Sequence, residues 1–240
     1  MAYESESAKK FYYLYHHWTA EKAARMLTPH FSLNDLAMAI SEPNPPDVTI
    51  SMPEENRSWS VHSNTVSSHS NFFRIALTAP FAESQSKVVK LYELDPDLVD
   101  FFVNYMYNLD FDTAARRTWG VFGDEVPAET TAGILLAADY LDAPMLMYRA
   151  YRTLVSGMAR LARRSQMQPP YEPESRRIRR DFLHAADLLE ESGTRVGRDV
   201  GKDMRTLMDK LESVGNFVEA RNAFMEVFPA EDTVADEELS

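Results

Sequence analysis

The hydrophobic positions of the chain follow two different spacings, and each spacing predicts an element. Over residues 7–27, Phe11, Leu14, Trp18 and Leu27 fall near one face of a helix, with Ser7 as its N-cap and Thr28-Pro29 as its end. Leu33, Leu36 and Ile40 recur at three- and four-residue steps and predict a shorter helix over 32–40. The prolines of SEPNPP then forbid regular structure, because proline lacks a donor and pushes its predecessor out of the helical region. Next the spacing changes to two. Val48, Ile50 and Met52 alternate with Thr49 and Ser51, and Trp59 and Val61 alternate with Ser58 and Ser60, so two strands joined by the polar loop PEENR are expected. Residues 64–77 read as one or two helices, and 87–94 as a third strand. Asp95-Pro96 opens a helix to residue 107, striped by Leu98, Phe102, Tyr105 and Met106. Residues 108–129 read as a long connection. Helices over 130–141 and 144–161 follow.

Strands early and helices late predict an α+β fold, a small three-stranded sheet with helices clustered around it. Residues 1–44 form an N-terminal helical extension to this domain, which covers 45–160. Residues 161–175 form a proline-rich linker, since SQMQPPYEPES holds three prolines and little apolar content. The C-terminal helical region, 176–230, carries stripes at Ile178, Phe182, Ala186 and Leu189, then at Val196, Val200, Met204, Leu207, Met208 and Leu211, with a third helix over 217–228. Residues 231–240 form a frayed acidic tail.

Composition narrows the function. The 240 residues hold 25 Lys and Arg against 37 Asp and Glu, a formal net charge of -12, which argues against direct binding of nucleic acid. The absence of cysteine excludes disulfides, zinc ribbons, thiol catalysis and iron–sulfur ligation. No run approaches 18 apolar residues, so no membrane span is expected, and MAYESESAKK lacks the apolar core of a secretory signal. The expectation is an intracellular protein of the cytoplasm or nucleus. The charge is uneven. Between Arg149 and Arg180 stand nine arginines and two acids, +7, leaving -19 for the remainder. The densest part, Arg176, Arg177, Arg179 and Arg180 around Ile178, reads either as a patch for nuclear import or an acidic partner, or as a solvated helix face paired with the protein's own carboxylates.

Candidate chemistry thins out under inspection. His16 and His17 are adjacent and point to different sides of a helix, and His30, His62, His69 and His184 build no HExxH, so no metal site is expected. Ser63, Ser67, Ser68 and Ser70 crowd two histidines without a GxSxG elbow, which suits capping and packing better than catalysis. Gly193, Gly197 and Gly201 recur every fourth residue, but three residues separate them where a phosphate loop needs four, and Asp203 follows Lys202. A small-residue face for close helix crossing is the reading preferred. Asp95 and Asp97 are explained by a helix start. The expectation is a non-enzyme without cofactor.

A longer pattern emerges when short signals are read in order. Asp47-Val48 opens the first strand, and Trp59-Ser60-Val61-His62 closes the hairpin. From His62 the steps lead to Val66, Ser70, Phe72 and Phe73; Pro80-Phe81-Ala82-Glu83-Ser84 precedes the strand KVVKLYEL. The helix after Asp95-Pro96 ends in Tyr105-Met106-Tyr107, and Ala137-Ala138-Asp139-Tyr140 is followed by Leu146. In this order and spacing, residues 47–155 resemble a BTB/POZ domain. On this resemblance Asp47, His62, Ser70, Phe73, Tyr107 and Tyr140 are residues of the fold, with Ser70 suited to a cap between two short helices. Phe72, Phe73, Tyr107 and Tyr140 would supply the aromatic bulk of a small core.

The resemblance implies a protein-interaction module. Family members that bind a cullin carry a hydrophobic-x-Glu element before the third strand, and Phe81-Ala82-Glu83 stands at that place. Phe81 would fill a pocket on the cullin and Glu83 would make a charge-assisted bond at its rim, as in a substrate adaptor of a cullin-RING ubiquitin ligase. The alternatives are a nuclear, transcription-associated interaction protein and an oligomeric scaffold without ligase role. Leu33, Leu36 and Ile40 precede the first strand where dimeric members carry a helix, and are candidates for a homodimer interface. There are departures too. The basic residue that often follows the histidine is Ser63, the Tyr-Thr-Gly after the fourth helix is Tyr107-Asn108-Leu109, and no zinc-finger, Kelch or MATH pattern accompanies the domain. The format resembles the stand-alone BTB proteins of filamentous fungi.

Overall fold

The structure is a computed structural model and describes residues 45–121, 126–167 and 173–213, with 219, 222, 223, 226 and 227. The helices expected over 7–27 and 32–40, with the dimer candidates Leu33, Leu36 and Ile40, lie outside the described residues, as does 231–240. The described residues divide into two compact units: one draws on 45–121 and 137–149, the other on 126–136, 150–167 and 173–213.

The first unit holds the sheet. β1 (Val48–Met52) lies between β2 (Arg57–Val61) and β3 (Val88–Lys90). It pairs antiparallel with β2, Val48 opposite Val61 and Ile50 opposite Trp59, and parallel with β3, Ile50 opposite Val89. The period-two pattern sets the buried face: Val48, Ile50, Met52, Val61 and Val89 are all inside. Pro53 to Asn56 turn the hairpin, with Asn56 in the left-handed region at φ 51°, where asparagine is better tolerated than most residues. β3 is shorter than the 87–94 expected from pattern. Lys87 and Glu93 have φ of 57° and 61°, and these left-handed residues bracket the ladder.

Helices α1 (Ser63–His69) and α2 (Asn71–Thr78) resolve the one-or-two ambiguity, with Ser70 between them. α3 (Ala82–Ser86) leads into β3. α4 (Pro96–Asn108) starts as its Asp95-Pro96 signal demands: the Asp95 carboxylate accepts the N–H of Asp97 at 2.8 Å, and Pro96 occupies the first turn. The stretch 108–129, expected as a connection, contains a further helix, α5 (Phe111–Trp119). Asp110 caps it by accepting the N–H of Thr113 at 2.9 Å, and Gly120 ends it at φ 76°. Its buried face is Phe111, Ala114 and Ala115, and Phe101 of α4 lies between Phe111 and Trp119 at 5.0 and 5.1 Å. Two alanines on that face carry too little hydrophobicity to reveal the helix by pattern.

α6 (Ala128–Tyr140) and α7 (Pro144–Met167) pass from one unit to the other along the chain. α7 continues to Met167 and α8 (Pro173–Glu191) begins at Pro173, so helix occupies both ends of the proline-rich stretch 161–175.

In the second unit α8 and α9 (Arg195–Ser213) form a hairpin whose buried residues are Phe182, Ala185, Ala186 and Leu189 of α8 and Val200, Met204, Leu207 and Met208 of α9, with the Phe182 ring standing against Gly157 of α7. Gly197 and Gly201 meet the expectation of close crossing. A Cβ on Gly201 would stand 2.8 Å from the carbonyl oxygen of Ala186, and one on Gly197 would stand 2.7 Å from that of Leu189. Gly193 does not belong to this face. It sits at φ 72° with open space around it, and its role is the left-handed turn after α8.

Candidate protein-interaction surface

Four of the six expected fold residues use their side chains in hydrogen bonds to residues distant in sequence, Asp47 with Ser63, His62 with Tyr107 and Ser70 with Leu141. The Asp47 carboxylate accepts the N–H of Ser63 at 2.7 Å and its hydroxyl at 2.6 Å, so the residue before β1 caps helix α1. The cap is needed because His62, in the N-cap position, makes no side-chain cap bond. Burial works to raise the pKa of Asp47, but the Ser63 hydroxyl and N–H and the charge of Lys87 outweigh it and hold the carboxyl below the usual aspartate range. Next door the Tyr107 hydroxyl accepts the His62 N–H at 2.8 Å and bonds His62 Nδ1 at 2.7 Å, tying α1 to α4. Burial raises the pKa of that phenol. Ser70 donates its hydroxyl to the Leu141 carbonyl at 2.5 Å and accepts the Phe73 N–H at 3.2 Å, so one side chain caps α2 and holds the end of α6. Phe73 is fully buried and stacked on Phe102 at 6.0 Å. These residues build the domain.

Tyr140 departs from expectation. It was expected in the core, yet it is 51% exposed and leans on the half-buried Phe72 at 5.9 Å. Its position at the last turn of α6 places the ring at the rim.

Phe81 occupies the opposite situation to Phe73. It is the N-cap residue of α3, 50% exposed, after the Ala79-Pro80 break that ends α2. The loop is tied on both sides. Phe81 N–H donates to the Ala79 carbonyl at 2.7 Å, and Ser84 donates its hydroxyl to the Phe81 carbonyl at 2.8 Å. Glu83 lies in the first turn of α3 and is half-buried, its carbonyl accepting the Lys87 N–H at 2.8 Å. Half of Phe81 is left uncovered by the rest of the chain. Exposed apolar rings cost solvation unless a partner covers them.

In the second unit Arg176, Arg177 and Arg180 are exposed at the start of α8. Arg179 turns the other way and donates to the carbonyl of Met208 on α9 at 3.0 Å.

Sequence reasoning took Ser63 as a capping or packing residue and as a departure from family pattern, and missed its bonds to Asp47. A serine in the first turn after an uncapped N-cap position was the available signal. It also missed a surface cluster on β2 and α4. There the Trp59 indole N–H donates to Asp100 at 2.9 Å, and Arg57 lies 5.2 Å over the Trp59 ring while pairing with Asp97 at 2.9 Å.

Among the described residues no group of His, Asp or Glu is arranged to hold a metal ion, and no helix is long and apolar enough to cross a membrane. A search of curated proteins found no match. Residues 40–156 match the family model of the BTB/POZ domain. The three-stranded sheet, the Ser70-capped helix pair and the family match together identify the chain as a BTB/POZ-domain protein, a member of a family of protein–protein interaction modules.

Proposed function

We propose that this BTB/POZ domain is a non-catalytic substrate adaptor of a cullin-RING ubiquitin ligase, docking the cullin through Phe81 and Glu83. What supports the reading is the half-exposed ring of Phe81, held at the N-cap of α3 by a tied loop, with Glu83 two residues on. Covering such a ring on binding contributes about 1 kcal/mol or more, and a carboxylate bond at its rim adds direction. A pair of this kind is the usual shape of a hot spot. The test is co-precipitation of the purified chain with a cullin N-terminal domain. Wild type is captured, and Phe81→Ala with Glu83→Ala is not, while its urea midpoint stays unchanged. A wild-type chain that captures no cullin sinks the reading. Self-association through Leu33, Leu36 and Ile40 belongs to the same proposal and is read by light scattering as twice the 27.4 kDa chain mass.

A second reading, a nuclear interaction protein, is favoured by the exposure of Arg176, Arg177 and Arg180. Tagged protein with these three arginines changed to alanine would then leave the nucleus. Cytoplasmic signal in both forms removes this reading.

A further inference from the structure

The sheet has an open edge at β2. Among the described residues the strand order is β2-β1-β3, so β2 has a neighbouring strand on one side only. Which of its main-chain groups face outward follows from β1. The Thr49 N–H donates to the Lys87 carbonyl and the Ser51 carbonyl accepts the Leu91 N–H, both at 2.9 Å, so these two residues turn their main-chain groups towards β3. Such groups alternate sides along a strand, so Val48, Ile50 and Met52 turn theirs towards Val61, Trp59 and Arg57 of β2. In β2 the N–H and C=O groups of Ser58 and Ser60 therefore point off the sheet. Both serines are exposed, and among the described residues no hydrogen bond reaches those groups. The next donor in the series, the His62 N–H, is closed off by the Tyr107 hydroxyl at 2.8 Å.

An open edge is a template for a further strand, and proteins usually guard it with lysine, proline or a bulge. The sequence RSWSV has neither lysine nor proline, and its five pairs with β1 are unbroken. Beside it α4 runs in step with the strand: Asp97 pairs with Arg57 at 2.9 Å, Asp100 accepts the Trp59 indole N–H at 2.9 Å, and Tyr107 meets His62. Glu54 and Glu55 are exposed in the turn that leads into β2, and among the described residues neither has an ion pair. Glu54, Glu55, Asp97 and Asp100 thus set four carboxylates against the guanidinium of Arg57, which Asp97 already holds.

We propose that β2 takes up an extended basic segment of a partner protein as an added antiparallel strand, bonded through the main chain of Ser58 and Ser60. Residues of the segment opposite Ser58 and Ser60 share the outer face with those small hydroxyls and meet little constraint. Residues opposite Arg57 and Trp59 stand on the face of Asp97, Asp100 and the Trp59 ring, where lysine or arginine is favoured and a carboxylate is repelled. The main-chain bonds supply affinity and the alternate side chains supply the choice. Each exposed ion pair contributes little, so the charge selects the occupant rather than holding it.

The probe is a synthetic eight-residue peptide of alternating threonine and lysine, added at millimolar concentration to the full-length chain. With its lysines opposite Arg57 and Trp59, only its threonine nitrogens face β2. The readout is amide hydrogen exchange followed by NMR. The peptide slows exchange of the Ser58 and Ser60 amides by about tenfold or more and leaves that of Trp59, already bonded to β1, unchanged. The same peptide with glutamate in place of lysine gives no protection, nor does the lysine peptide N-methylated at its threonines, whereas N-methylation at its lysines is tolerated. Glu54→Gln with Glu55→Gln weakens binding of the lysine peptide several-fold. No slowing at Ser58 and Ser60 overturns the proposal, as does equal slowing by the glutamate peptide or by the threonine-methylated one. Protection of both amides in the chain alone, growing with protein concentration, assigns the edge to a second copy and overturns it too. Phe81 and Glu83 take no part, so the result is independent of the cullin reading.

Discussion

Asp47 and Ser63, sixteen residues apart, are joined by two short hydrogen bonds that fasten the start of β1 to the start of α1. One carboxylate does what a cap usually does, but from a different element. Asp47→Ala is expected to cost about 1 kcal/mol, the usual effect of losing a cap. Ser63→Ala costs less, because the N–H at 63 keeps its acceptor. The two changes are non-additive in a double-mutant cycle followed by urea denaturation. The sign with pH follows from the lowered pKa of Asp47: its contribution is present above the unfolded value near 3.9 and is lost as pH falls through the lower folded value. A wild-type minus Asp47→Ala difference that does not shrink on acidification contradicts the assignment.

His69 titrates in the reverse chemical sense with the same direction in pH. It is buried on α1, and desolvation lowers its pKa from the ordinary 6.5 to about 4. The folded chain keeps the ring neutral while the unfolded chain takes up a proton. Stability is therefore complete above about pH 6.5 and falls, by at most about 1.4 kcal/mol per unit, as pH drops towards 4. The check is the urea midpoint of wild type and His69→Gln at pH 7 and pH 5. The wild type loses more than the variant, and parallel losses would refute the burial argument.

Asp203 opposes that trend. Burial, with the nearby charge of Asp199, raises its pKa from 3.8 to about 7. The folded state holds a proton that the unfolded state releases near pH 4, so the ionised carboxylate weighs against folding as pH rises from about 4 to above 7. Asp203→Asn is expected to raise the melting temperature at pH 8 and to change it little at pH 4. Equal effects at both values would show that the side chain acts through shape alone.

Much of this was legible because the elements that position the surface are signalled locally. Period-two alternation gave β1 and β2 their faces, and Asp95-Pro96 marked the start of α4 almost to the residue. Ser70 was readable as a cap because a short polar residue stood between two apolar helical runs. What failed did so for physical reasons. The face of α5 is buried through alanines, which pattern does not register as hydrophobic. Tyr140 carries an aromatic ring at a family position, yet exposure depends on which neighbours reach it, and among the described residues only Phe72 stands beside it in ring contact. The unequal burial of Phe73 and Phe81 is likewise invisible in sequence: both are phenylalanines next to short helices, and only tertiary packing separates the core from the candidate contact.

The glycines of α9 offer the strictest test of the helical hairpin. In an exposed helix, Gly→Ala stabilises by up to about 1 kcal/mol, because alanine loses less backbone entropy. At Gly201 the new methyl would meet the Ala186 carbonyl at 2.8 Å and the Glu190 nitrogen at 3.0 Å, and backbone cannot rotate away as a side chain can. The helices must then separate. That also loosens Arg205, which bonds Glu190 at 2.9 Å and pairs with Asp187. Gly201→Ala is therefore expected to destabilise the protein by about 1–3 kcal/mol, the range of overpacked cores. Lys202→Ala, one residue along on the exposed side, serves as the control and stays within about 0.5 kcal/mol. A stabilised Gly201→Ala in urea melts would mean that α8 and α9 do not cross as closely as these distances require.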